Sequence, residues 1–179
     1  LAVGPEAQLR ERYDCSSATV VEAKGGAVAP GFVDAHTHLV FGGSRVREYA
    51  ARLTRSRPEV EELGIETGIM ATVAMTRSED EETLFAGAAS RLDEMLAHGT
   101  TTVESKSGYG LTVADEIKLL EVNRQLDQSH QIQLVSTFMG ANDVPPEMEP
   151  SNYEEHIVSE QIPELPKRHH AFGSEVFYE

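Results

Sequence analysis

Two histidines one residue apart, His36 and His38, are the side chains in this sequence whose type and spacing best suit chemistry. On an extended segment, residues i and i+2 project from the same side. Two imidazoles on one side can bind one divalent ion. Asp34 falls two residues earlier and, by strict alternation, on that same side, where a carboxylate would orient a ligand histidine from behind. A plain strand with two polar residues near its exposed end has the same spacing, so the pattern alone leaves both readings open. Arg45 follows Gly42-Gly43 and lies just past the histidines, where a guanidinium would face the same site or simply sit in solvent. Tyr109 stands between Gly108 and Gly110, in a loop able to hold its ring close to a ligand or to serve as an ordinary turn.

These side chains need elements to hold them. Pro30 to His38 reads as a buried strand, apolar at Phe32, Val33 and Ala35. The arginine-rich residues 45–55 have helical composition and read as a surface helix. Ser78 with Glu81 forms a capping-box pattern, opening a helix with Leu84, Phe85, Ala88, Leu92, Met95 and Leu96 at helical spacing. Gly99 ends that helix, and His98 in its last turn suits the negative end of the dipole. Thr100 to Lys106 is a second strand, with Glu104 and Lys106 on one face, where they form a buried structural pair, the favoured reading, or line the site. Thr112 with Asp115 opens a second capped helix carrying Val113, Ile117 and Leu120. Gln131 to Met139 is a third strand, leaving through Gly140-Ala141-Asn142. Tyr153, Ile157, Val158 and Ile162 mark a further helix disturbed at Pro163, and Gly173 to Glu179 starts a fourth strand. His169-His170 points its rings in different directions and does not suit a shared ion. Before Pro30 the pattern is short strands at 19–21 and 27–29, a turn at Gly25-Gly26 and a short helix over Ala7 to Tyr13.

Strand and helix alternate from residue 30 onward, which means an α/β fold with parallel strands. No Gly-x-Gly-x-x-Gly follows the first strand, so a dinucleotide site is disfavoured. The net charge of −15, from 30 acidic and 15 basic residues, argues against nucleic acid and against an anionic membrane surface. Cys15 is the one cysteine, which excludes a disulfide framework and a cysteine-based zinc site. A single cysteine fits a reducing cytoplasm, and the first five residues lack the basic segment and apolar core of a secretion signal.

Pro30-Gly-Phe-Val-Asp-Ala-His-Thr-His38 resembles the first-strand motif of the amidohydrolase superfamily. The continuation Leu39 to Arg45, the block Ala97 to Leu111 with its Lys-Ser-Gly-Tyr-Gly, the stretch Val135 to Ala141 and Val144-Pro-Pro-Glu147 resemble the imidazolonepropionase family within it. The resemblance covers nearly the whole chain. It implies the N-terminal half of an amidohydrolase-type (β/α)8 TIM barrel over residues 30–179, with residues 1–29 part of a small β-sandwich. The activity implied is hydrolysis of a ring C–N bond of 4-imidazolone-5-propanoate, giving N-formimidoyl-L-glutamate in histidine degradation. One zinc or iron ion is implied, with His36 and His38 as two of its ligands and Arg45 and Tyr109 as substrate contacts. The partner implied is that small molecule, and an unpaired sheet edge is compatible with a homo-oligomer.

Three departures stand out. Asn142 occupies a position where the family usually has a substrate-contacting histidine. Leu63 to Ile69 lacks the family's glycine cluster and carries an extra acid. The remaining metal ligands and the catalytic base are expected beyond residue 179, so the chain alone is expected to be inactive. A related cyclic-amide or amidine hydrolase or deaminase, and a non-catalytic fragment, remain the alternatives.

Overall fold

The computed structural model describes residues 2–165, 171 and 173–176. The chain divides into two compact units, Leu1–Pro30 and Gly31–Glu179. The first holds one helix, α1 (Glu6–Arg12), close to the expected span. The strands expected at 19–21 and 27–29 do not form: Val20, Val21 and Val28 are exposed, and no partner strand pairs their amides. A turn does form one residue earlier than expected. Gly26 donates to the Ala23 carbonyl, and Lys24 and Gly25 adopt φ of 49° and 81°. Positive φ at both central positions is the hairpin type of turn.

The second unit is a four-stranded parallel sheet in the order β1 (Phe32–Thr37), β2 (Thr100–Lys106), β3 (Gln133–Ala141) and β4 (Gly173–Val176). Parallel neighbours require crossovers, and helices supply them. Between β1 and β2 run α2 (Val46–Arg52), α3 (Arg57–Glu62), α4 (Gly68–Ser78) and α5 (Glu81–Ala97). Only the first and last of these four were legible from composition and periodicity. α6 (Val113–Ser129) joins β2 to β3. α7 (Pro150–His156), a π-helical turn (Ile157–Gln161) and α8 (Ile162–Glu164) follow β3. No helix among the described residues is long and apolar enough to cross a membrane.

The core lies between the sheet and its helices. Leu84, Ala88 and Leu92 of α5 and Leu119, Val122 and Leu126 of α6 close over Val103 and Leu134. Each fully buried leucine contributes roughly 1.5–3 kcal/mol of transfer free energy. A second cluster joins Val73, Leu111, Leu120, Phe138, Tyr153 and Ile157.

Several expectations shift. β1 is not buried at its start: Phe32 and Val33 are 68% and 66% exposed, because β1 is the outer strand of the sheet with a neighbour on one side only. Ser78 does not cap α5. It ends α4, donating to the Met75 carbonyl at 2.8 Å, while the Asp80 carboxylate accepts from Thr83 N at 2.8 Å. A charged acceptor suits the positive end of the helix dipole better than a hydroxyl. β3 begins two residues late because α6 runs to Ser129 and residues 130–132 make the turn. After α7 the expected inward face fails at Val158 and Ile162, which are exposed. The π turn adds a residue to the winding and brings Gln161, 2% exposed, inward instead. Thr112 caps α6 as expected, accepting from Asp115 N at 3.1 Å, and Gly99 ends α5 with φ 94°. His98 closes α5 on the Glu94 carbonyl, a structural role. The pair His169-His170 lies outside the described residues.

Candidate functional site

The C-terminal ends of β1 and β2 bring three of the expected residues together. A cleft of about 340 Å³ is lined by His38, Phe41, Arg45, Thr72, Met75 and Tyr109, among others. The His38 and Tyr109 rings lie 4.7 Å apart, centroid to centroid, tilted by 38°. Nδ1 of His38 is buried without a hydrogen-bond partner. Burial pushes the His38 imidazole below its ordinary pKa, and the nearby Lys106 ammonium adds to that. A neutral imidazole is the form that ligates metals. Burial also pushes the Tyr109 phenol up.

Asp34 does not sit behind the histidines. The β1–β2 register slips by one residue between Asp34 and Thr37. Asp34 therefore pairs with Val103, a residue of the helix-covered core, and Thr37 with Ser105, whose hydroxyl donates to Asn123 of α6. The Asp34 carboxylate accepts from the backbone N–H of His36 at 3.3 Å, and no hydrogen bond joins it to either imidazole. A one-residue slip cancels the period-2 rule on which the expectation rested.

Arg45 precedes α2 and is held by Glu48 within that helix. Its Nε donates to Glu48 Oε2 at 2.5 Å. Glu48 is only 3% exposed and also meets Arg52 at 3.5 Å and the Gly68 amide at 3.4 Å. Hydrogen bonding to Arg45 holds the Glu48 carboxyl below its usual range. The helix read as plain surface thus carries a buried carboxylate that orients the guanidinium. The glycines before it matter sterically: a Cβ on Gly42 would lie 2.7 Å from the Met75 carbonyl oxygen, so the loop seats against α4 only without one. Phe41 is pinned from the other side by Arg91, whose guanidinium lies 3.6 Å over the ring and donates to the Leu39 and Phe41 carbonyls. Nothing in the sequence pattern of α5 marks Arg91 for this task.

Asn142 is brought near the site but does not line the cleft. It is buried, and its Nδ2 donates to the Gly108 carbonyl at 2.9 Å. His36 lies on β1 beside the cleft rather than among its lining residues. On β2, Lys106 is 3% exposed and bridges Glu104, at 2.7 Å, to Glu175 of β4. Thr137 of β3 donates to Glu104 at 2.7 Å. Burial opposes the Lys106 charge, yet the two carboxylates outweigh it and hold the ammonium above its ordinary pKa. The expected Glu104–Lys106 pair is present and ties three neighbouring strands. Among the described residues no three His, Cys, Asp or Glu side chains converge to hold an ion.

Residues 19–64 match the model of the amidohydrolase family. The chain is 44% identical to an imidazolonepropionase of Geobacillus kaustophilus, over all of this chain and 43% of that protein. It is 46% identical to one of Brevibacillus brevis, over 96% of this chain and 41% of that protein. It is 44% identical to one of Haloarcula marismortui, over 99% of this chain and 42% of that protein. The chain therefore spans less than half the length of the curated relatives it matches. Along its full length, this chain is a homologue of the imidazolonepropionases within the amidohydrolase superfamily.

Proposed function

We propose that this chain forms part of a metal-dependent hydrolase that opens the ring of 4-imidazolone-5-propanoate, giving N-formimidoyl-L-glutamate in histidine degradation. The observation that carries the reading is the cleft in which His38, Arg45 and Tyr109 meet, in a chain similar to imidazolonepropionases over its whole length. Arg45 binds the propionate. Glu48 engages its Nε, which leaves the planar fork of terminal N–H groups for a carboxylate. Tyr109 covers the ring from the second-strand loop. His36 and His38 would hold the metal, zinc or iron, and the unpartnered buried Nδ1 of His38 fits that use. When bound, the ion supplies the Lewis acidity that polarises a ring carbonyl and makes water nucleophilic at neutral pH. The remaining ligands and the base belong to residues outside these 179. Asn142 acts on the Gly108 loop rather than on substrate, so it does not by itself favour a different substrate.

The same reading gives the fold in full. The parallel β/α order supports part of a (β/α)8 barrel over 30–179, while a sandwich segment over 1–29 rests on the family resemblance alone, since no strand forms among residues 2–29. The net charge of −15 supports a small-molecule partner rather than nucleic acid or membrane, and the single cysteine, Cys15, fits a reducing cytoplasm.

The test is loss of 4-imidazolone-5-propanoate absorbance in added zinc or ferrous iron. Three samples are compared: a protein of the relatives' full length carrying this sequence, its His38→Asn variant, and the 179-residue chain. Turnover is expected in the first alone. Equal turnover by His38→Asn would sink the metal role, and no turnover in any metal would sink the substrate.

A further inference from the structure

A buried carboxylate with no part in the proposed chemistry sits directly beneath the Tyr109 loop. Glu116, in the first turn of α6, is 1% exposed and meets no cation at ion-pair distance among the described residues. Its Oε2 accepts from Gly108 N at 2.9 Å, and its Oε1 accepts from Gly110 N and Leu111 N, both at 2.8 Å. Three amides from four consecutive residues point at one carboxylate because the backbone bends into left-handed regions, with φ 108° at Gly108 and 57° at Leu111. Leu111 is a bulky residue in a costly conformation, which persists only where its surroundings dictate it. Close approach is also required: a Cβ on Gly110 would lie 2.5 Å from the Glu116 amide nitrogen. The loop's carbonyls are held from outside, Gly108 by Asn142 at 2.9 Å and Gly110 by Arg77 Nε at 2.7 Å. Tyr109, the residue this frame surrounds, is the one whose ring meets His38.

We propose that Glu116 is a positioning residue that sets the Tyr109 ring against His38 by gathering the amides of the Gly108–Leu111 loop. Burial of a carboxylate is costly without full hydrogen bonding, and here the loop amides supply it. Glutamine cannot replace it. It offers one acceptor oxygen, and its NH₂ would meet an N–H of the loop. The consequence for turnover rests on the hydrolase reading above, whereas the consequence for Tyr109 does not.

The test places 3-fluorotyrosine at position 109 in the full-length protein and reads its ¹⁹F resonance in wild type and Glu116→Gln. The expected result is a shifted or broadened Tyr109 signal while circular dichroism is unchanged. In the same variant KM is expected to rise about tenfold with a smaller change in kcat, the size of losing one good substrate contact. An unchanged Tyr109 resonance in a folded Glu116→Gln protein overturns the proposal, whether or not the enzyme turns over this substrate. If that variant does not fold, Glu116→Asp is read in its place. Its shorter arm keeps the charge but cannot span all three amides, and the same shift is expected. Loss of the fold in both variants also overturns it, since a residue that only orients a loop does not hold up the sheet.

Discussion

Arg45 shows how one buried acid changes what a loop arginine can do. A solvated guanidinium samples many rotamers, and ordering it costs free energy at binding. Glu48 meets that cost in advance by fixing Nε, and burial of Glu48 makes the pair less screened than a surface one. Lysine in place of Arg45 has the charge but neither the fork nor the Nε contact. In the full-length enzyme Arg45→Lys is expected to raise KM about tenfold with a lesser effect on kcat. A fall in kcat at constant KM would place Arg45 in the chemical step and not in substrate binding.

At the scale of elements, helix starts decide where the strand ends come to lie. α5 must begin after α4 has ended, and only two residues separate Ser78 from Glu81. The cap at Asp80 sets the start of the helix whose Leu84, Ala88 and Leu92 cover the sheet. Asp80→Ala is expected to destabilise the chain by about 1 kcal/mol. Ser78→Ala is expected to change stability by less than about 0.5 kcal/mol, as for an ordinary surface site. Denaturant melts of both variants check this, and the reverse order would restore Ser78 as the cap. The π turn after α7 acts in the same way. It turns Gln161 toward Gly140, where a Cβ would lie 2.3 Å from the amide oxygen.

For the whole molecule, the outer strand β1 matters most. Phe32 and Val33 are exposed on a strand paired on one side only, and such an edge recruits further strands. In a complete barrel both edges would be closed. The 179-residue chain by itself is expected to elute as a self-associated species in size-exclusion chromatography. Val33→Lys is expected to move it toward the monomer. A monomeric wild-type chain at high concentration would show that this edge is protected. Lys106, between Glu104 and Glu175, links β2 to β4 across the same sheet, so charge as well as backbone pairing holds the strand ends together.

The amino-acid sequence by itself determined the parallel α/β order, the limits of β2, the cap at Thr112 and the stop at Gly99, whereas the expectation that His38, Arg45 and Tyr109 share a site rested on resemblance to a known family. The elements follow from local causes: β-branched runs, side-chain capping and glycine at positive φ. Only tertiary structure decided the rest. The slip between Asp34 and Thr37 depends on how β2 pairs with β1, and a period-2 pattern cannot show it. The roles of Glu48, Arg77, Arg91 and Glu116 depend on partners up to 70 residues away, as between Arg77 and Glu147. The nearest sequence signal for Glu116 was a glycine-flanked loop followed by an acid in the first turn of a helix, and that pattern also reads as an ordinary favourable dipole contact. Whether a carboxylate faces solvent or gathers three amides is set by what buries it. Here the amides of Gly108, Gly110 and Leu111 close on Glu116, which is left 1% exposed.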